Sequence, residues 1–381
     1  MLKKYKLRSY NFRLLFLILV TSVFGLMIVN SANSSYTVKQ GLGVALSIVI
    51  MLVISFVDYN FILKFYWLYY LVDIILLILV LKVGTSSHGA QRWISIGSFS
   101  LQPSEFNKII MILVCCKIIS MYKEKLNTWK FLLVLAAVLG FPLILVVIEP
   151  SLSTTVLTTL VLITIIFCAG IDYKIIGKVI LVIVPLTLVL GLYISNPNQK
   201  LLKDYQRDRI MTFFSSEGSD TDEGKYQQEY SVKAIGSGQL NGKGLNNDDP
   251  SSLKNAKYIA EAQNDFIFAV IGEELGFVGC CATIFLLSWI VIECIIAAVR
   301  AKDFVGRLIC CGVAAYIGFQ SFINIGVVTE ILPNTGLPLP FFSCGITSTM
   351  TVFISMGVVL NICLQRNTLR EDDMFAEDFR G

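Results

Sequence analysis

The chain has 381 residues, 55% of them hydrophobic and only 15% charged, with a mean hydropathy of +0.71. A soluble protein of this length carries nearer a quarter charged residues, so a set of buried core helices is excluded for want of polar surface. A net charge of +4 offers no basic field for nucleic acid, and the ten cysteines lie almost entirely in apolar runs with no CxxC pair, against a disulfide framework or zinc site.

Lys3, Lys4, Lys6, Arg8 and Arg13 precede an apolar run from Leu14 to Val29. That run is long for a signal-peptide core and many others follow, so it reads as an uncleaved first span. Hydropathy predicts an all-α, polytopic membrane protein of about ten helices, near 12–30, 41–57, 62–83, 106–121, 131–148, 152–169, 175–195, 266–299, 305–325 and 341–363. The eighth run is long enough for a tilted or interrupted helix. Short-loop cations put both ends inside: the N-terminal cluster, Lys64, Lys123, Lys125, Lys130, Lys174, Lys178, Arg300, Lys302, Arg307, Arg366 and Arg370 share one side, against mainly Lys39 and Arg92 on the other. The whole chain is then one membrane domain with a cytoplasmic tail over 366–381.

Three outward segments stand out: 84–105, 196–264 and 324–340. The middle one is far longer than a bundle needs, which marks a functional or disordered loop. Its Tyr226, Tyr230, Ile235, Leu240, Leu245, Tyr258 and Ile259 predict partial packing against the bundle.

In the first segment, Gln102-Pro103-Ser104-Glu105 opens the fourth span, with Pro103 at a first helical position. Free N–H groups there, with Lys108 one turn on and Arg92 nearby, could hold a pyrophosphate; a capped helix with a Glu–Lys pair and a snorkelling arginine is the plainer alternative. In the third segment, Pro333, Pro338 and Pro340 forbid a regular helix, which at membrane depth implies burial in protein or a watery cavity, or else an ordinary outer turn. Glu273, Glu274, Asp73 and Glu149 are carboxylates in spans, either facing a cavity or serving as structural pairs. His88, the only histidine, reads as a loop residue. Asp265 ends the long loop and opens a span: a carboxylate there can be a poised general base, or simply a helix N-cap.

The order of these segments carries a resemblance. Gln91-Arg92-Trp93, Gln102-Pro103-Ser104-Glu105 with Lys108, Glu149-Pro150, Tyr226-Gln227 through Gly238, Asp265-Phe266-Ile267-Phe268 through Gly276, and Leu332-Pro333-Asn334-Thr335-Gly336-Leu337-Pro338-Leu339-Pro340-Phe341 together resemble the SEDS family of shape, elongation, division and sporulation proteins (RodA, FtsW, SpoVE) over roughly 10–365. The resemblance implies a peptidoglycan glycosyltransferase that polymerises lipid II, an undecaprenyl-pyrophosphate-linked disaccharide peptide, into β-1,4 glycan outside the bacterial cytoplasmic membrane, paired with a class B penicillin-binding transpeptidase. It assigns the essential loop carboxylate to Asp265 and substrate binding to Arg92, Gln102, Glu105 and Lys108. Glu273, Glu274, Asn324, Pro333, Thr335, Gly336, Pro338, Pro340 and Ser343 are then expected to line the cavity. Three stretches depart from the family pattern. The usual Pro-Glu-x-His-Thr is Ala260-Glu261-Ala262-Gln263-Asn264, Glu-Pro-Asp is Glu149-Pro150-Ser151, and Ser-Tyr-Gly-Gly is Ser343-Cys344-Gly345-Ile346.

The reaction is attack of a sugar hydroxyl on the anomeric carbon of a lipid-pyrophosphate donor, with inversion. It needs one base, assigned to Asp265, and positive charge on the leaving group, assigned to Arg92, Lys108 and the helix start, optionally helped by a divalent cation (Mg or Mn). The rivals are a lipid II flippase, which would need a polar path that the apolar inner halves of most spans do not offer, and an inactive scaffold of a cell-wall complex.

Overall fold

The computed structural model describes residues 10–87, 90–96, 99–149, 151–179, 181, 185, 223–247, 252, 258, 259 and 261–365. The long helices among them are α1 (Phe12–Ala32), α2 (Thr37–Phe56), α4 (Tyr66–Val83), α5 (Pro103–Met121), α6 (Trp129–Ile148), α7 (Leu152–Cys168), α8 (Glu223–Ser237), α9 (Ile267–Val299), α10 (Phe304–Val328) and α11 (Ile346–Leu364), with a short α3 (Tyr59–Lys64) before α4. Seven described helices are long and apolar enough to cross a membrane: α1, α2 with its preceding turn, α4, α6, α9, α10 and α11. The apolar α7 is shorter, and α5 is long enough but carries Glu105, Lys108 and Lys117. The predicted span over 175–195 lies mostly outside the described residues, as do His88 and the tail.

Phe16, Leu42, Leu133, Ile163, Phe285 and Val299 remain exposed on these helices, an outer surface that suits lipid and not water. Inward, α2 runs along α11, and α10 packs between α9 and α7 and also touches α5. Within the bundle, the Asn107 amide of α5 donates to the Asp73 carboxylate of α4 at 2.7 Å, the interface role expected for an intramembrane aspartate.

The first outward segment is not a plain loop. Thr85–Ser87 (β1), Ala90–Ile96 (β2) and Phe99–Leu101 (β3) form a three-stranded antiparallel sheet in the order β1-β2-β3, with Ile94 opposite Leu101. Aromatic and β-branched Trp93, Ile94 and Ile96 favour extended backbone there. The sheet is a small addition to an otherwise helical fold, and it puts Arg92 on a strand.

α9 is broken at Gly276 (φ 64, ψ −159), so the interruption allowed for by its length is real. A break costs the carbonyls of Glu273 and Glu274 their partners four residues on, the N–H groups of Phe277 and Val278. The stretch after α8 supplies replacements. The N–H groups of Lys243 and Gly244 donate to the Glu273 and Glu274 carbonyls at 3.0 and 2.9 Å, and those of Phe277 and Val278 donate to Gln239 and Leu240 at 2.8 and 3.2 Å. The long loop is thus spliced into the hydrogen-bond ladder of a spanning helix, which satisfies backbone that lipid could not. Only glycine permits so close an approach: a Cβ at Gly276 would meet the Gly242 nitrogen, and the Leu240 carbonyl at 2.6 Å.

Glu273 and Glu274 belong to this seam. Lys243 Nζ pairs with Glu273 Oε1 at 2.8 Å, and the Ser31 hydroxyl of α1 donates to Glu274. Both carboxylates are 1% exposed and bonded across the seam, the structural pairing that stands as the alternative to a cavity wall. α8 itself is held by buried Gln228, whose amide donates to the carbonyls of Val327 and Leu332, both at 2.8 Å, and by the Ser231 hydroxyl, which donates to Val328. These bonds cap the C-terminal end of α10. Tyr230 stacks on Tyr258, and Tyr230, Ile235, Leu245 and Ile259 pack with the bundle core, so part of the loop does pack as its apolar residues predict.

Candidate active site

The loop joining α10 to α11 is irregular and largely buried, as its prolines require. Leu337, Leu339, Phe341 and Phe342 point inward, and Phe342 meets Phe24 of α1 edge-on. The turn is closed by Ser343, whose hydroxyl accepts the Leu339 N–H at 2.7 Å while its own N–H donates back to the Leu339 carbonyl. Ser343 and Pro340 are buried in this turn. Gly336 is the loop residue beside Asp265. The Thr335 hydroxyl has no hydrogen-bond partner among the described residues, and its carbonyl accepts from Ser153 at the start of α7.

Asp265 stands just before α9, half-buried. A Cβ built at Gly336 would lie 3.2 Å from Asp265 Oδ2, and Gly336 has φ +68. Glycine is needed there twice, for the left-handed backbone and for the room the carboxylate takes. The Asp265 backbone is held separately: the Asn324 amide donates to the Asp265 carbonyl at 2.7 Å and to the Leu337 carbonyl at 2.6 Å. The N-cap of α9 is Phe266, with no side-chain cap bond.

α5 starts as predicted, with Pro103 in its first turn after Gln102. Gln102 is half-buried, and its amide lies 3.4 Å from the Ser104 hydroxyl. Glu105 and Lys108 are 3% and 2% exposed. Lys108 Nζ donates to both Glu105 carboxylate oxygens at 2.9 Å and to Gln320 Oε1 at 3.0 Å, above the Tyr316 ring. An ammonium has three protons, and here all three are engaged. Direct pyrophosphate binding by Lys108 would break one of these bonds, so its expected role shifts to charge and support from within the bundle. Arg92 is half-buried and its Nε donates to the Glu149 carbonyl at 3.4 Å. The Glu149 side chain is fully buried, and neither carboxylate oxygen has a hydrogen-bond partner among the described residues.

Asp265, Asn324, the Thr335–Pro338 stretch, Gln320 and Lys108 are therefore brought together, with Arg92 tied to Glu149 by way of β2. Glu273 and Glu274 are bonded at the seam with the long loop, and Pro340 and Ser343 are buried in the turn before α11. Sequence reasoning missed Gln320; an amide in an otherwise apolar span was the available signal.

Comparison with known proteins agrees with this architecture. The family model for cell cycle proteins FtsW, RodA and SpoVE matches residues 6–368. The probable peptidoglycan glycosyltransferase FtsW of Buchnera aphidicola subsp. Baizongia pistaciae is 31% identical over 94% of this chain and 95% of its own length. The peptidoglycan glycosyltransferase MrdB of Escherichia coli K12 is 33% identical, covering 79% of this chain and 78% of its own. Stage V sporulation protein E of Bacillus subtilis is 34% identical, covering 76% and 75%. Among solved structures, a chain of a peptidoglycan synthase complex superposes with a TM-score of 0.78 at 24% identity, covering 94% of this chain and 99% of that one. The rod shape determining protein RodA of Thermus thermophilus gives 0.68 at 23%, covering 94% and 98%.

Proposed function

The chain belongs to the FtsW/RodA/SpoVE family, and we infer from that membership and from its site that it is a peptidoglycan glycosyltransferase. It polymerises lipid II into β-1,4 glycan at the outer face of the bacterial cytoplasmic membrane, in elongation, division or sporulation. It is a multi-pass membrane protein, and the cation bias of its short loops supports cytoplasmic termini. The observation that carries the assignment is Asp265: a carboxylate at the mouth of a spanning helix, its backbone tied by Asn324 and its side chain against Gly336.

Asp265 accepts the proton of the attacking sugar hydroxyl as that oxygen bonds to the donor's anomeric carbon; the bond from that carbon to the pyrophosphate oxygen breaks, and the pyrophosphate leaves with the electron pair and takes up negative charge. In this reading Arg92 and the N–H groups at the start of α5 receive that charge, Arg92 as a hydrogen-bonding cation and the helix start as a dipole end. Lys108 adds positive charge one turn deeper. Gln102 and Glu105 shape the same helix start.

A divalent cation, if the reaction uses one, would enter with the pyrophosphate. Among the described residues no group of three His, Cys, Asp or Glu forms a closed cage. An ion held by one or two carboxylates and substrate phosphates needs less, and Glu149, with its buried oxygens unpartnered, fits that demand. Its chemistry would be charge neutralisation on the leaving group. The partner is a class B penicillin-binding transpeptidase, supported by the likeness to a chain of a peptidoglycan synthase complex.

The test against the flippase reading uses the full-length chain in liposomes holding labelled lipid II. Glycan strands resolved on a gel, without transfer of lipid II between leaflets, are expected. Leaflet transfer with no glycan would reverse the assignment.

A further inference from the structure

Gln320 and Asn324 lie one turn apart on α10 and so share a face. Each spans a gap between separate pieces of the site. Gln320 Oε1 accepts from Lys108 at 3.0 Å while its Nε2 donates to the Pro338 carbonyl at 2.8 Å. One turn on, Asn324 Nδ2 donates to the carbonyls of Leu337 and Asp265. The two amides therefore bind adjacent carbonyls of the proline loop, and join α5 on one side to Asp265 on the other.

We propose that Gln320 is a positioning residue of the glycosyl transfer, fixing the loop that carries Gly336, and hence Asp265, relative to Lys108. The proposal rests on Asp265 being the base. An amide suits this post at any pH, because one end accepts from an ammonium and the other donates to a carbonyl. Gln320 is fully buried, so no water can replace either bond cheaply. Its loss frees the Pro338 carbonyl and one Lys108 proton together. The proline loop can then settle away from Asp265, and misplacement by about 1 Å costs on the order of 100-fold in rate.

The Glu105–Lys108 pair of α5 supplies the charged groups bonded at Gln320, with the Tyr316 ring on its own helix. α7 and α11 carry no charged residue, Asp265 is joined to this face through Asn324, and Glu273 and Glu274 of α9 are engaged by Lys243 and Ser31. Gln320→Glu keeps the acceptor for Lys108 but sets a carboxylate against the Pro338 carbonyl. Once protonated, that side chain can donate again, as the amide does. Gln320→Met can do neither at any pH.

The experiment measures lipid II polymerisation by the full-length chain with its transpeptidase partner, for both variants and for Asp265→Asn. Gln320→Met should lose about 10- to 100-fold in kcat with KM for lipid II changed less than about threefold, since Gln320 does not touch substrate. Gln320→Glu should recover, relative to wild type, as pH falls from about 8 to about 5.5. A Gln320→Met enzyme at the wild-type kcat beside an inactive Asp265→Asn overturns the proposal and leaves the base assignment standing. If Gln320→Met does not fold, a Gln320→Glu to wild-type ratio flat with pH overturns it. An active Asp265→Asn sinks the base assignment itself, and this proposal with it.

Discussion

Gly276→Ala tests whether the long loop is spliced into α9. The glycine sits at φ 64, ψ −159, a region essentially closed to other residues, and forcing alanine into it costs about 1–3 kcal/mol. The added Cβ would also press on backbone, the Gly242 nitrogen and the Leu240 carbonyl, which cannot swing aside as a side chain could. Relief requires the loop to withdraw. Withdrawal strips the two carbonyls and two N–H groups now paired across the seam, each bond worth about 0.5–1.5 kcal/mol net. The sum is roughly 3–9 kcal/mol, comparable with the whole stability of many proteins. Thermal melting in detergent with limited proteolysis of the loop is the assay. A much lower melting temperature and new cleavage near 238–244 are expected. A variant that melts with wild type and resists protease equally would refute the splice.

Lys243→Met should destabilise by about 1–3 kcal/mol, because Glu273 is left buried without its cation, and Glu273→Gln in the same chain should restore much of the loss on a melting curve. Arg92→Ala should weaken lipid II use by about 10- to 100-fold in kcat/KM, the worth of one charge-assisted hydrogen bond, with little change in melting temperature. Glu105→Leu should be among the most damaging single changes, by about 3–5 kcal/mol, since it leaves the Lys108 ammonium buried with Gln320 alone, and expression with thermal melting would show it.

Much of this was open to reading in the chain itself. Lipid demands long apolar runs, and the spans that fall on described residues lie close to their predicted bounds. Pro103 announced the start of α5 because proline suits a first helical turn, and three prolines announced the irregular loop before α11. Glu105 and Lys108 are one turn apart, so their pairing could be foreseen. What could not be foreseen joins residues remote in sequence. Gln320 lies 212 residues from Lys108, and nothing local says which carbonyl an intramembrane amide will find. The break at Gly276 was foreshadowed by length, but its partner at 239–244 was not, because backbone pairing leaves no side-chain signature. Intramembrane carboxylates suggest a cavity or a structural pair, and nothing local says that Glu273 and Glu274 bond Lys243 and Ser31. The strand that carries Arg92 is hard to foresee, because alternation over only a few residues is a weak signal.

The account turns on Asp265 as the base that accepts the acceptor hydroxyl's proton. Its most direct test is the rate of lipid II polymerisation by Asp265→Asn, in protein shown by melting to be folded and bound to its transpeptidase partner. Asparagine keeps the size and can still sit beside Gly336, but it cannot take the proton, so loss of at least about 100-fold in kcat is expected. Polymerisation at the wild-type rate would contradict the account.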